Sequence, residues 1–208
     1  MFCWHAERAL DSLTKTFGDS LVFFSYHAFE YDTFYNTESH TRDSLYSIIY
    51  EPTCVFAGTE FVTPITVTDP DSFYSVYKQY VLGVRSRTTS LTMEFDTALT
   101  KIEANQLKIG LTVNPTESLP DLANLRLFLV IFEDSLFYQS EYYLKVVRKL
   151  LPNTQGLNLT VNFPNSFDTL LTIQLENWNT TQLGVAAFVQ NMQTKEVLQA
   201  VVKRNLRR

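Results

Sequence analysis

Little in this chain is equipped for chemistry. Two cysteines in 208 residues cannot staple a disulfide scaffold. Three scattered histidines, His5, His27 and His40, lack metal-ligand spacing. There is no glycine-rich phosphate loop, no nucleophile–base–acid grouping and no paired-cysteine metal motif, so no cofactor and no metal is expected. With 6 glycines and 7 prolines, the chain is not a disordered or linker-rich one. No apolar run approaches the roughly 18 residues that would span a bilayer. Met1 leads through Cys3 into an acidic helix rather than a charged start and apolar core, so no signal peptide is expected in this stretch.

Positive charge is also scarce in the first part. Up to Tyr80 there are 4 Lys or Arg against 11 Asp or Glu, a net of -7, and the remainder carries +2. Without a clustered basic face, nucleic acid is excluded as a partner. The exception is the end, where Lys203, Arg204, Arg207 and Arg208 read as a solvated tail, with contact to phosphate or anionic lipid as the alternative. The triplets beginning at Asn158 and Asn179 are glycosylation acceptors only in a secretory route.

What is present points to a folded, sheet-rich protein. Aromatics reach 14%, carried by 16 Phe and 11 Tyr. Ala6, Ala9, Leu10, Leu13 and Phe17 recur at helical spacing, with Gly18 as the stop. The β-rich run 21–24 predicts a buried strand. Ser39 or Thr41 is positioned to cap a second helix with inner face Leu45, Ile48 and Ile49. Val55 and Phe56 read as a strand ended by Gly58, and Phe73, Val76, Tyr77, Tyr80 and Val84 as a third helical stripe. This helix–strand alternation over 1–84 calls for a sheet covered on both faces.

In a thioredoxin-type fold a cysteine sits at a helix start, where free amides stabilise thiolate, and faces a cis-proline that opens a strand. Cys3 and Pro52-Thr53 suit those places, and the Glu51–Pro52 bond is expected to be cis. A dithiol partner would stand at position 6, which is Ala6, or three residues before Cys3, and the first strand would lie ahead of Met1. The domain therefore reads as truncated or degenerate. Cys54 is either a substitute partner for Cys3 or a small buried side chain. His27 follows the 21–24 strand, where the alternatives are poising a thiol or binding a metal, with partner contact as its role in the interaction reading, whereas His5 and His40 are expected to be exposed. Glu30, Asp32, Glu38 and Asp43 lack calcium-loop spacing and read as a solvated face.

Past a polar linker at 83–90 the period becomes alternating. Leu91, Met93 and Phe95 form one strand, Leu107, Ile109, Leu111 and Val113 another, and 125–132 a long central one. Val161 with Phe163, and Leu170, Ile173 and Leu175, continue the pattern, and 183–190 with 197–202 form a hairpin. Trp178 is placed at a strand end. Seven or eight strands over 85–208 predict an immunoglobulin-like antiparallel β-sandwich without chemistry.

Several segments together resemble the Gram-negative outer-membrane proteins related to the twenty-eight-kilodalton outer-membrane antigen. They are Tyr26-His27, Pro52-Thr53 with Val55-Phe56 and Gly58-Thr59, Phe132-Glu133-Asp134, Val146-Val147-Arg148 with Leu150-Leu151, and the stretches 185–190 and 194–200. The resemblance implies a thioredoxin-like domain (1–84) followed by a β-sandwich (85–208), exported and either anchored at the outer membrane surface by lipid or peripherally, or secreted. It also implies that Cys3 is the second cysteine of the family's helix-start motif and that Pro52 is its docking proline.

Two functions follow as expectations. One is an exported, non-catalytic surface protein that binds protein partners or copies of itself, with Pro52, Thr53 and His27 as contact residues and strand exchange as the mode of assembly. The other is an extracytoplasmic thiol–disulfide oxidoreductase using Cys3 and Pro52 with a cysteine from upstream. A sandwich that binds carbohydrate through Trp178 and exposed tyrosines is a third and weaker reading.

Overall fold

The computed structural model describes residues 2–67 and 69–206. Arg207 and Arg208 of the basic tail lie outside the described residues. Helix α1 (Phe2–Phe17) buries Ala6, Ala9 and Leu13, and Gly18 ends it at φ +58°. Helix α2 (Thr37–Tyr46) departs from expectation. Its cap is Asn36, whose side chain accepts from the Ser39 amide, and a left-handed Ser47 terminates it. Ile48 and Ile49 thus fall outside the helix, with Ile49 79% exposed, while Ser39 and Arg42 take the buried face. An early cap and an early stop shifted the helix off the apolar pair.

Strands β1 (Cys54–Phe56) and β2 (Glu60–Val62) form an antiparallel hairpin through Ala57 and Gly58, both at positive φ. A Cβ on Gly58 would stand 1.9 Å from the Lys195 carbonyl oxygen, so only glycine fits this approach. Helix α3 (Phe73–Arg85) buries Phe73, Tyr77 and Val81. Helices α1 and α3 close over Phe56, Val62 and Val67 in one apolar cluster. The stretch 21–24 forms no ladder; instead Ser25 makes a parallel bridge to Val146 far along the chain. Among the described residues up to 90, the β1–β2 hairpin is the only ladder, and the expected covered sheet is not formed there.

The rest is antiparallel sheet. In chain order the strands are β3 (Leu91–Phe95), β4 (Lys101–Glu103), β5 (Gln106–Pro115), β6 (Leu125–Glu133), β7 (Leu136–Tyr138), β8 (Glu141–Tyr143), β9 (Val146–Leu151), β10 (Leu157–Asn158), β11 (Phe167–Gln174), β12 (Leu183–Asn191) and β13 (Val197–Lys203). One sheet runs β10-β6-β12-β13, with β9 also on β6. The other runs β11-β5-β3, with β4 also on β5. Alternate residues of both share one core, including Leu107, Ile109, Leu111 and Val113 of β5 with Leu127, Leu129 and Ile131 of β6 and Val185, Ala187 and Val189 of β12. Trp178 is buried in it.

The opposite face of the first sheet is covered too. Phe128, Val130, Val147, Leu150 and Phe188 pack with Phe24 and Tyr26 from the first third of the chain. Burial on both faces explains why β6 and β12 read as unbroken apolar runs rather than alternating ones. The predicted hairpin of β12 and β13 forms, with a bulge at Val189 and Gln190. Val161 and Phe163 do not form a strand. The short strands β4 and β7 to β10 carry no pattern that the sequence reading resolves. The fold is mixed α/β with mostly antiparallel sheets and no barrel, and no described helix is long and apolar enough to cross a membrane.

Candidate functional site

The start of α1 and the entry to β1 meet at one corner. The Glu51–Pro52 peptide bond is cis, as expected. Cys3 is exposed at the helix start and Cys54 is half-buried at the first residue of β1. The Thr53 hydroxyl donates to the Tyr50 carbonyl and so braces the turn rather than projecting freely. Beneath lies Tyr77, fully buried, whose hydroxyl has no hydrogen-bond partner among the described residues and which feels both sulfurs. Tyr77 was read only as part of a helical core stripe, and no local signal distinguished its hydroxyl.

The electrostatics run against a nucleophilic thiolate. Although much of Cys3 is open to solvent, its thiol is pushed up first by desolvation against its neighbours and then by the Glu51 carboxylate, which outweigh the favourable effect expected of a helix start. Burial alone pushes the Cys54 thiol from 9.0 to about 12. Tyr77 is raised by burial, then by Cys54 and Cys3. Glu51 is itself raised by burial, then by Asp32 and Asp43, so it is held closer to its neutral form. At neutral pH this corner presents thiols rather than thiolates.

His27 is otherwise engaged. Its Nδ1 lies 2.7 Å from Asp32 Oδ2, and its ring meets Phe34 at 5.4 Å and Tyr143 at 5.8 Å, edge-on in both cases. It shares no hydrogen bond with Pro52 or Thr53. Asp32, read as part of a solvated face, is tied to His27 and also accepts from the Phe34 amide at 2.8 Å. The five-residue spacing from His27 was the available clue. His40 is exposed as expected, whereas His5 is half-buried, 4.0 Å from Asp71. No group of three or more potential metal-ligating side chains occurs among the described residues.

The corner also carries unpaired main chain. Leu21 is held by its amide to Gly18, and Ser25 is bonded to Lys145 and Val147, but 22–24 between them makes no backbone hydrogen bond to any described residue. Strand β1 is paired on one side only, by β2. Leu21 and Cys54 lean on the α1–α3 cluster, whereas Phe24 of the unpaired stretch packs with Phe128 and Phe188 on the outer face of the large sheet. Open grooves lie elsewhere: about 460 Å³ beside Arg126 and Asn158, and about 370 Å³ beside His5, Arg8 and Tyr74.

No protein-family model and no curated protein sequence matches the chain. Among solved structures it is similar to HBP35 of Porphyromonas gingivalis, at 15% identity and a TM-score of 0.59, over 80% of this chain and 56% of that one. A domain of the outer membrane lipoprotein Omp28 from Porphyromonas gingivalis matches at 19% identity and a TM-score of 0.40, over 57% of this chain and 89% of that one. The first of these is a likeness of fold, and the chain spans little more than half of that neighbour's length.

Proposed function

We propose that the protein is an extracytoplasmic, non-catalytic interaction protein that accepts an extended segment, from a partner or from another copy of itself, along the unpaired main chain of 22–24 and β1. The observation that carries this reading is the gap in hydrogen bonding at 22–24 between two anchored neighbours. Main-chain donors and acceptors left open beside an apolar floor favour strand addition, in which backbone bonds supply affinity and side-chain pockets supply selectivity. In this reading 1–84 is a thioredoxin-type unit and 85–208 an immunoglobulin-like sandwich. The cis proline beside a cysteine-tipped helix supports it. Placement at the outer membrane surface or in the medium rests on the resemblance of the quoted sequence segments.

The raised Cys3 and Cys54 thiols disfavour either as the attacking group, while the oxidoreductase reading takes its nucleophile from upstream and Cys3 as the second thiol. The test is selection of extended peptides from a displayed library, followed by hydrogen exchange. Selected peptides are expected to protect the amides of 22–24 and 54–56, and Val22→Pro, which removes one donor, is expected to abolish binding. Peptides that protect other regions, or that bind the proline variant equally, sink the reading. Insulin reduction by the chain is expected to be nil.

A further inference from the structure

Strand β11 ends the second sheet and pairs with β5 alone. Its ladder runs unbroken from Phe167 opposite Val113 to Gln174 opposite Gln106. The Leu175 amide carries it on to the Asn105 carbonyl, so those two residues form a hydrogen-bonded pair. Such pairs alternate with unbonded ones along an antiparallel ladder. The odd-numbered residues of β11 therefore spend their main chain on β5, and Asp168, Leu170, Thr172 and Gln174 turn theirs to the open edge. Among the described residues nothing pairs with those four amides and carbonyls. The edges of the other large sheet are treated differently. Beside β9, Ser25 makes a bridge and Asn36 Nδ2 donates to the Val147 carbonyl at 2.7 Å, and the first amide of β13 is taken by the Ala57 carbonyl. Strand β11 carries no lysine, proline or bulge, the devices that usually blunt an edge.

The solvent face of this sheet is charged in rows. Lys101, Lys108 and Thr172 stand opposite one another across β4, β5 and β11, and Glu94, Thr112 and Asp168 across β3, β5 and β11. The first row is basic, with both lysines also reaching Glu103, at 3.8 and 3.0 Å. The second is acidic, and the Thr112 hydroxyl donates to Asp168 Oδ1 at 2.6 Å. Leu170 lies on β11 midway between the rows and is 58% exposed. On the core side Phe167, Leu171 and Ile173 are only partly buried.

We infer that β11 pairs antiparallel with β11 of a second copy of this chain, about a two-fold axis at Leu170. That register sets Asp168 opposite Thr172 of the second copy, and the symmetry repeats the pair in reverse. The basic row of each copy then runs into the acidic row of the other, and Leu170 covers its own equivalent. About six main-chain hydrogen bonds close between the outward groups of Asp168, Leu170 and Thr172. A register centred on Asp168 sets carboxylate against carboxylate, and one centred on Thr172 sets the two basic rows end to end. The charge pattern thus favours self-pairing, and one register of it, as an isologous interface requires. This edge is separate from the unpaired main chain of 22–24 and stands without it.

The experiment is sedimentation equilibrium of the whole chain over a dilution series, read together with a cysteine cross-link. The chain is expected to form a concentration-dependent dimer that weakens as salt rises. Leu170→Lys sets two ammonium groups face to face at the axis and is expected to weaken the dimer about 10-fold. Asp168→Lys places a cation against the basic row and is expected to weaken it about 5-fold. Both positions are exposed, and an unchanged circular dichroism melt shows that the fold persists. In a chain carrying Cys3→Ser and Cys54→Ala, Leu170→Cys treated with oxidised glutathione is expected to link the two copies. Directly opposed residues of a bonded pair stand about 5.5 Å apart, within disulfide reach. Gln174→Cys, off the axis, is expected not to link. Val22→Pro is expected to leave the dimer intact. A chain that stays monomeric, a dimer indifferent to Leu170→Lys, equal linkage at Gln174→Cys, or loss of the dimer in Val22→Pro would each overturn the inference.

Discussion

Arg42 Nη1 donates to Gln190 Oε1 at 2.9 Å and so ties helix α2 to strand β12 across 148 positions of sequence. The guanidinium is buried without a carboxylate. Its partners are Gln190, the Tyr46 hydroxyl at 3.0 Å and the ring faces of Tyr46, Phe128 and Phe188 at 5.2 to 5.3 Å. Gln190 in turn donates to Tyr46 and to the Lys195 carbonyl. A cation in an aromatic and amide cage fixes how the helix sits on the sheet, and without it the buried Gln190 Oε1 loses the donor it accepts from. Arg42→Ala is therefore expected to cost about 3 kcal/mol by urea unfolding, from lost packing and orphaned polar groups. A cost under about 0.5 kcal/mol, the range of ordinary surface changes, would remove the cage from the account.

Gly184 meets Phe132 across the β12–β6 ladder, and a Cβ there would lie 2.2 Å from the ring. Gly184→Ala is expected to destabilise by about 1–3 kcal/mol through overpacking. The thermal midpoint should drop by roughly 2–4 °C per kcal/mol for a chain of this size. Phe132→Leu in the same chain should recover part of the loss, because it removes the obstructing ring rather than adding a contact. An unchanged midpoint for the single variant contradicts the packing described.

The Tyr77 hydroxyl is buried without a partner, so removing it relieves a cost instead of breaking a bond. Tyr77→Phe is expected to be neutral or to stabilise by about 1 kcal/mol. Tyr77→Ala should cost about 3–5 kcal/mol through the cavity left among Phe56, Phe73 and the two helices. If the phenylalanine variant loses more than about 1 kcal/mol, the hydroxyl has a partner in solution.

Cys54 links stability to alkaline pH. Its folded value is pushed up to about 12 by burial, above the 9.0 of a free thiol. A raised folded value means the contribution is fully present below 9 and is lost as pH rises toward 12, because the unfolded chain gives up its proton first. Wild type should therefore lose stability more steeply than Cys54→Ala between these limits. Parallel curves would show that the thiol is not buried. Consistently, alkylation of Cys54 in the folded chain should be negligible at neutral pH, and that of Cys3 slow.

The helix stripes of α1 and α3, the long strands β5, β6 and β12 and the closing hairpin were legible because each is written in local spacing, and the cis bond before Pro52 followed from reading the segment as a thioredoxin-type corner. Where reading stopped, the deciding contact was distant. The inner face of α2 went to Ser39 and Arg42 because a sheet some 150 positions away offers Gln190 and aromatic faces that no local pattern announces. The 21–24 stretch carries a strand's composition but, among the described residues, has no strand beside it, and its end was claimed by Val146 instead. The ribbon of β7 and β8 was missed because three-residue strands have too few positions to show alternation.

At the candidate site the residues Cys3, Pro52 and Cys54 could be named from sequence, but the chemical character of their corner could not. A helix start argues for thiolate; the surrounding burial and the Glu51 carboxylate argue against it more strongly. Sequence by itself determined the two long apolar helices, the long core strands and which residues could carry chemistry, since backbone preference and periodicity act over a few residues. Tertiary structure alone decided which polar groups are buried, which main chain stays unpaired and which rings face water. Those outcomes depend on desolvation and on surfaces brought together from opposite ends of the chain.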